Sequence, residues 1–236
     1  MAVFTEEGVR ANIRVRDGRR VFYLSDRDHL TPSARQWLWR EGVEILPAAQ
    51  AKPEAYRTLS GAVLREKPEH MTHLTAELLV PKDHPRIHFR GCIDQLEARI
   101  LLTQRTALEQ NHPALAADLE ALLEQVRQLL RAEVMDTPFV MESLCGLTLA
   151  QLRERSHRPQ EFYGIPHFMP AVDDGPLLLA LNLLRTQIRA TELVAYDAFH
   201  DRDEQITRPD LLQALNRMSS LVWIWMIQLK KENDHG

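Results

Sequence analysis

A segment that is apolar on almost every side constrains the fold of this chain more than any other. It spans residues 181–192 and reads LNLLRTQIRATE. The segment reads as a helix that is apolar almost all round, and it therefore indicates a helical protein. Arg185, Arg189 and Glu192 interrupt it at i, i+4 and i+7, and this spacing places them on one face.

The charged stripe formed by Arg185, Arg189 and Glu192 has two interpretations. Guanidinium groups bind phosphate oxygens in a forked geometry and a carboxylate can hold a magnesium ion, so the stripe fits a polyphosphate site. Charges on an apolar helix are costly unless such a partner meets them. The alternative is a helix face in water with an i, i+3 pair between Arg189 and Glu192. Periodicity alone favours this alternative.

Helical periodicity continues through most of the chain after residue 85. Long helices are predicted at residues 86–110, 113–135, 176–200 and 209–231, and a short one at 147–156. The second is the clearest, because its leucines and valines follow one helical stripe. Four long helices and one short helix predict a mainly α protein built as a bundle.

The composition divides the chain into three parts. Residues 1–46 are predicted to form a small α+β module. Residues 47–66 contain two prolines and several alanines with weak periodicity, so we interpret them as a linker. Residues 67–236 form the bundle domain.

Turn and capping signals define the small module. Apolar residues alternate on both sides of Asp17-Gly18, which is a hairpin signal. Thr31 followed by Pro32 predicts the N-cap and first position of a helix that ends at Gly42. A strand is expected directly after this helix.

Charge and cysteine content exclude several classes of protein. The chain has 236 residues and a net charge of −4, which argues against a general nucleic-acid binder. Its two cysteines, Cys92 and Cys145, lie far apart and indicate a reducing compartment without a disulfide framework. No apolar run approaches the roughly 18 residues of a membrane span. The first residues lack a secretory signal, so we expect a cytoplasmic protein with no membrane partner.

Three further groups of polar residues are candidates for a site. Asn216 borders the apolar side of the last predicted helix, so it points partly inward or lies on the surface. Asp94 begins the apolar part of the first long helix, where it could pair with an arginine or serve as a first-turn carboxylate.

The third group, within residues 67–74, contains Lys67, His70, Thr72 and His73. These four side chains suit metal ligation, phosphate contacts or a simple polar turn. Two histidines without a cysteine pair are a weak metal signal.

The order of these motifs along the chain and the identity of their residues are more specific than any single motif. Residues 67–74 are followed by LVPKDHPRIHFRGCIDQLEA, FMP, LNLLRTQIRATE and LQALNRMSS, and LTPSARQWL precedes them all. This series resembles the ethanolamine-utilisation corrinoid adenosyltransferases, which belong with the propanediol-utilisation-type ATP:cob(I)alamin adenosyltransferases. The resemblance covers nearly the whole chain. It implies a five-helix bundle, usually trimeric, with ATP at the subunit interfaces.

The resemblance also implies roles for individual residues. Arg185, Arg189 and Glu192 match the R-x3-R-x2-E segment of the family, with Glu192 as the residue for Mg²⁺. Asn216 matches the asparagine of the family's N-R-L-S motif. Lys82 matches the lysine after the phosphate loop, and Asp94 matches an aspartate expected to pair across the interface with Arg185.

Three departures from the family pattern stand out. Residues 67–74 replace a threonine–glycine–aspartate phosphate loop, so Lys67, His70, Thr72 and His73 are only candidates for phosphate contacts. Leu193 stands where the wider family often has a second arginine. No cysteine precedes Cys92, so we predict no iron or zinc site of the kind that some ethanolamine-type members carry.

The implied reaction transfers the 5′-deoxyadenosyl group of ATP to Co(I) of cobalamin and releases triphosphate. Arg189, Lys82 and Mg²⁺ would stabilise the leaving oxygen. Phe168 is our candidate for an apolar wall beside cobalamin, with core packing as the alternative. The product would serve an ethanolamine ammonia-lyase pathway, with a lyase or a bacterial microcompartment as partner. A non-catalytic cobalamin carrier and a microcompartment assembly protein are the competing hypotheses.

Overall fold

A computed structural model describes residues 2–16, 18–48, 55–201, 203 and 205–235, the last without its side chain. The chain forms two compact units, Met1–Lys82 and Asp83–Gly236. The first unit holds all but two of the short strands named below, and the second holds the long helices. Each unit is described by itself.

The first part of unit one is a small α+β arrangement. Its elements are β1 (Val3–Phe4), α1 (Glu6–Ala11), β2 (Arg14–Arg16), β3 (Arg19–Leu24), β4 (His29–Leu30), α2 (Pro32–Arg40) and β5 (Glu44–Pro47). β3 pairs with β2 in antiparallel fashion and with β5 in parallel. β1 pairs with β4 in parallel. The side chains of Phe22, Trp37 and Leu38 lie in its apolar core.

The capping prediction for α2 is confirmed. The Thr31 hydroxyl accepts a hydrogen bond from the Ala34 backbone N–H at 3.3 Å, and Pro32 occupies the first helical position. The predicted hairpin forms between β2 and β3, although Asp17 lies outside the described residues. The strand expected after α2 is β5. The sequence did not predict α1, β1 or β4, because these elements are too short for a periodic pattern.

A second sheet completes unit one. Its strands are β6 (Tyr56–Thr58), β7 (Val63–Leu64), β8 (Met71–His73) and β9 (Leu78–Pro81), in the order β7-β6-β9-β8. The predicted linker, residues 47–66, lies partly outside the described residues, and its later part supplies β6 and β7 to this sheet. β6 pairs with the distant β9, and such non-local pairing leaves little trace in a local sequence pattern. The first compact unit ends at Lys82, and the domain boundaries expected at residues 46 and 66 stay a prediction.

Unit two is a helical bundle, which confirms the mainly α prediction. Its elements are α3 (Pro85–Glu109), α4 (Pro113–Val134), β10 (Ser143–Leu144), β11 (Leu147–Thr148), α5 (Leu149–His157), α6 (Pro159–Tyr163), a 3-10 turn (Val172–Asp174), α7 (Pro176–Phe199) and α8 (Pro209–His235). α3 packs on α4 and α7, and α7 packs on α8. The four long helices begin at prolines, which suit the first helical position because they lack an N–H. Thr148 and Gln151 form a capping box at the start of α5.

The core covers only part of α7. Leu181, Leu184 and Ile188 are fully buried, whereas Leu183 and Leu193 are 47% and 70% exposed. The neighbouring helices of unit two therefore cover only one side of α7. Among the described helices, none combines the length and the apolar character that a membrane span requires.

A buried ion cluster ties the ends of two helices together in unit two. The Glu133 side chain at the end of α4 is completely buried and accepts hydrogen bonds from Nε of Arg86 and Nε of Arg90, both at 2.6 Å. Both arginines lie in the first two turns of α3. Removing one partner of such a buried pair typically costs about 3–5 kcal/mol, so the cluster fixes the register of α3 against α4.

Candidate active site

A cavity of about 700 Å³ opens in unit two between α5, α7, α8 and the segment that precedes α7. Two helices each contribute four lining residues at i, i+3, i+4 and i+7, so each presents one face. On α7 these residues are Asn182, Arg185, Thr186 and Arg189, and on α8 they are Asn216, Ser219, Ser220 and Trp223. The cavity therefore brings together the two motifs that the sequence singled out. We call it the α7/α8 pocket.

Arg185 is half-buried in the α7/α8 pocket. Its Nη2 donates to Oδ1 of Asn182 at 3.3 Å, and its guanidinium carbon lies 5.4 Å from the centre of the Trp223 ring. Its Nε is buried and has no hydrogen-bond partner within the described part of the chain. Burial, followed by the nearby charge of Arg189, lowers the pKa of Arg185. An unused donor on a buried cation suits an anionic partner.

Arg189 lies one turn further along α7 and is exposed. Among the described residues it forms neither a hydrogen bond nor an ion pair. The i, i+3 pair with Glu192, which the solvated-face interpretation invoked, is therefore not formed. Arg189 lines the pocket, so its charge is available to a ligand there.

The Glu192 carboxylate faces α8 and not Arg189. Its Oε1 accepts a hydrogen bond from Nδ2 of Asn216 at 3.0 Å. Oδ1 of Asn216 in turn accepts from Nη1 of Arg217, and the hydroxyls of Ser219 and Ser220 donate to its backbone oxygen. Of the two positions that the sequence left open for Asn216, the structure has the partly inward one, because the side chain links α7 to α8 and lines the pocket.

Aromatic rings form part of the wall of the pocket, beside its polar groups. The Phe168 ring lies 5.0 Å from the Trp223 ring at an angle of 30°, and the His167 ring stacks parallel to Trp223 at 5.8 Å. The sequence prediction named Phe168 and missed Trp223. Trp223 follows Asn216 by seven residues, so the helical spacing already placed both on one face of α8.

Asp94 is not brought to Arg185 within one chain. It is exposed on α3, and no ion pair to it is seen in the described ranges. Arg185 instead contacts Asn182 and Trp223. The pairing of Asp94 with Arg185 across two subunits stays a prediction, since a single chain does not test it.

The candidate phosphate residues Lys67, His70, Thr72, His73 and Lys82 all lie in unit one, in or near β8 and β9. Nζ of Lys67 donates to the backbone oxygen of Met71 at 3.3 Å, and Nζ of Lys82 donates to Glu69 at 3.4 Å. The backbone N–H of Lys82 donates to the backbone oxygen of His70, so β8 and β9 hold these residues near one another.

A metal site at His70 and His73 gains no support from the structure. The His73 ring packs edge-on against Tyr56 at 5.4 Å. Within the described ranges, no group of three or more histidine, cysteine, aspartate or glutamate side chains is arranged to hold a metal ion. A phosphate role for His70, His73 and their neighbours stays a prediction.

The fold and the pocket fit one class of protein, and comparison with known proteins identifies it. The family model for cobalamin adenosyltransferases matches residues 62–229, so the chain belongs to the cobalamin adenosyltransferase family. It is therefore an enzyme that transfers an adenosyl group to a corrinoid.

Curated relatives define the class more closely. The chain is 32% identical to the corrinoid adenosyltransferase EutT of Salmonella typhimurium strain LT2, with 94% of this chain and 90% of that protein aligned. The corrinoid adenosyltransferase EutT of Escherichia coli K12 matches with the same identity and coverage. No solved structure shows a significant match to the chain.

Proposed function

We propose that the α7/α8 pocket is where this enzyme joins its two substrates, ATP and reduced cobalamin. One observation carries the proposal: Arg185, Arg189 and Asn216 line the same cavity as the rings of Phe168 and Trp223. Cationic groups suit a polyphosphate, and aromatic faces suit the flat, largely apolar face of a corrin ring. A cavity of about 700 Å³ holds part of so large a pair of molecules, in keeping with an open site.

The chemistry assigns a task to the cations. The electron pair of Co(I) attacks C5′ of ATP, a cobalt–carbon bond forms, and the bond between C5′ and its oxygen breaks. The electrons of that bond leave with triphosphate, so negative charge grows on the departing oxygen. We propose Arg189 for this charge, because it lines the pocket without a counter-ion among the described residues.

Glu192 is our proposed residue for Mg²⁺. Its Oε1 is engaged by Asn216, and its Oε2 has no hydrogen bond within the described part of the chain. Magnesium in nucleotide sites takes one or two carboxylates together with phosphate oxygens, so a single oriented carboxylate fits it. When bound, Mg²⁺ would neutralise charge on the triphosphate. Asn216 orients the carboxylate in this arrangement.

The aromatic wall is our proposed contact for cobalamin. Phe168 and Trp223 present apolar surface beside the cations, and a water-poor wall strengthens the charge interactions next to it. The resemblance to the family suggests that cobalamin binds here without its lower axial ligand, which eases reduction of Co(II).

Assembly and context are further proposals that rest on the resemblance. We propose a homotrimer in which Asp94 of one subunit pairs with Arg185 of the next. The unpaired Nε of Arg185 and the exposed Leu193, one turn beyond Arg189 on α7, support a partner at this face. Lys67, His70, Thr72, His73 and Lys82 stay candidates for phosphate contacts. An ammonia-lyase that uses the product, or a microcompartment that encloses it, is the proposed partner.

One assay tests the proposed function. The protein is mixed with ATP, Mg²⁺ and chemically reduced cobalamin, and the optical spectrum is followed for light-sensitive adenosylcobalamin. We expect product that depends on both ATP and Mg²⁺. Folded protein that binds cobalamin and forms no product would favour the cobalamin-carrier hypothesis.

A further inference from the structure

The segment that carries His167 and Phe168 has little regular structure of its own. It runs between Gly164 and Gly175, whose φ angles of 75° and 85° lie in the left-handed region. Glycine reaches this region without the steric cost that other residues incur, so the chain can turn sharply at both ends. Apart from one 3-10 turn the segment is irregular, and contacts with other elements have to hold it in place.

Asp174, at the end of this segment, supplies such a contact. Its side chain is only 5% exposed, and its Oδ1 accepts a hydrogen bond from Nζ of Lys230 at 2.8 Å. Its Oδ2 accepts from the backbone N–H of Ala171 at 2.7 Å, so both carboxylate oxygens are used. The hydrogen bond from Lys230, followed by that from Ala171, holds the pKa of Asp174 below its usual range. The pair is therefore ionised at neutral pH.

The two points that hold the segment share one face of α8. Lys230 follows Trp223 by seven residues, which is two helical turns, or about 10 Å along the axis. His167 and Phe168 rest on Trp223, and Asp174 rests on Lys230. A single rigid helix thus fixes the segment at the ring contact and at the ion pair. Movement at the second point would change the position of the rings at the first.

We infer that Asp174, through its ion pair with Lys230, is a positioning residue that sets His167 and Phe168 against Trp223 and so shapes the cobalamin side of the pocket. This inference rests on the proposed function of the α7/α8 pocket. Asp174 touches neither substrate in this scheme. It acts on cobalamin binding through the rings and leaves the ATP side unchanged.

The test compares Asp174→Asn and Lys230→Met with a matched control, Asp234→Asn. Asp234 is a second partner of Lys230, at 3.4 Å, and lies outside the segment. We expect a roughly tenfold higher KM for cobalamin in the first two variants, since a small displacement of a binding wall weakens binding markedly. The KM for ATP stays unchanged in all of them. Lys230→Arg keeps the charge and should retain near-normal kinetics.

Hydrogen exchange supplies a readout that does not depend on turnover. In Asp174→Asn, amides of residues 165–174 should exchange faster than in Asp234→Asn, while those of α7 keep their protection. An unchanged KM for cobalamin in folded Asp174→Asn, or equal increases in both KM values, would overturn the inference. Wild-type protein that binds ATP and cobalamin without turnover would refute the proposed function instead.

Discussion

Asn216 joins the two helices of the pocket, so replacing it tests stability and function together. The perturbation is Asn216→Leu, which keeps the branched shape of the side chain and removes both of its polar groups. Two hydrogen bonds are lost, the one from Nδ2 to Glu192 at 3.0 Å and the one from Arg217 to Oδ1. Each has a charged partner, and such bonds are stronger than those between neutral groups.

The magnitude follows from the number and burial of these bonds. A hydrogen bond to a charged group contributes about 1.5–3 kcal/mol when it is buried. Glu192 and Arg217 are only partly buried, and solvent screening reduces each contribution to about 1 kcal/mol. The free energy of unfolding should therefore fall by about 2 kcal/mol, which lowers Tm by about 4–8 °C in a domain of this size.

The assay is urea unfolding followed by circular dichroism, together with steady-state kinetics. Gln213→Leu is the matched control, because Gln213 is an exposed amide on α8 for which no hydrogen bond is seen in the described residues. It should change the free energy of unfolding by less than about 0.5 kcal/mol. In Asn216→Leu the KM for ATP should rise, since Glu192 loses the group that orients it. Equal stabilities of the two variants would refute the argument.

Three further predictions follow from single residues or pairs. Arg189→Ala should lower kcat by about 100-fold without changing the unfolding curve, because it removes a positive charge that would meet the leaving triphosphate. Near-normal turnover at saturating ATP would exclude Arg189 from this role. Asp94→Asn and Arg185→Ala should be non-additive in a double-mutant cycle of activity, whereas strict additivity would rule out their pairing. Burial raises the pKa of the Cys145 thiol to about 12, and the charge of Asp118 and a hydrogen bond with Asp118 contribute to this increase. Iodoacetamide should therefore label Cys145 about 10³-fold more slowly than an ordinary thiol at pH 8, read by mass spectrometry, and rapid labelling of the folded protein would contradict this.

The sequence alone singled out part of the lining of the α7/α8 pocket, because helical spacing determines which residues share a face. Asn182, Arg185 and Arg189 fall on one line of α7, and Asn216 falls on the line of α8 that meets it. The same spacing places Trp223 on the face of Asn216. An aromatic residue within an apolar run looks the same in the sequence whether it lines a pocket or packs in the core. Only the packing of the segment after Gly164 shows that Trp223 faces His167 and Phe168.

The sequence by itself determined the long helices, the Thr31 cap of α2 and the membership of the family, since these depend on local periodicity and on motif order. The tertiary structure decided which partner each of the charged groups contacts. Glu192 pairs with Asn216 and not with Arg189, Glu133 is buried between Arg86 and Arg90, and Asp174 binds Lys230. Each of these contacts joins residues far apart in the chain or overrides a nearer partner. The energies of these contacts depend on burial and on the angle at which the helices cross, and a local sequence pattern specifies neither quantity.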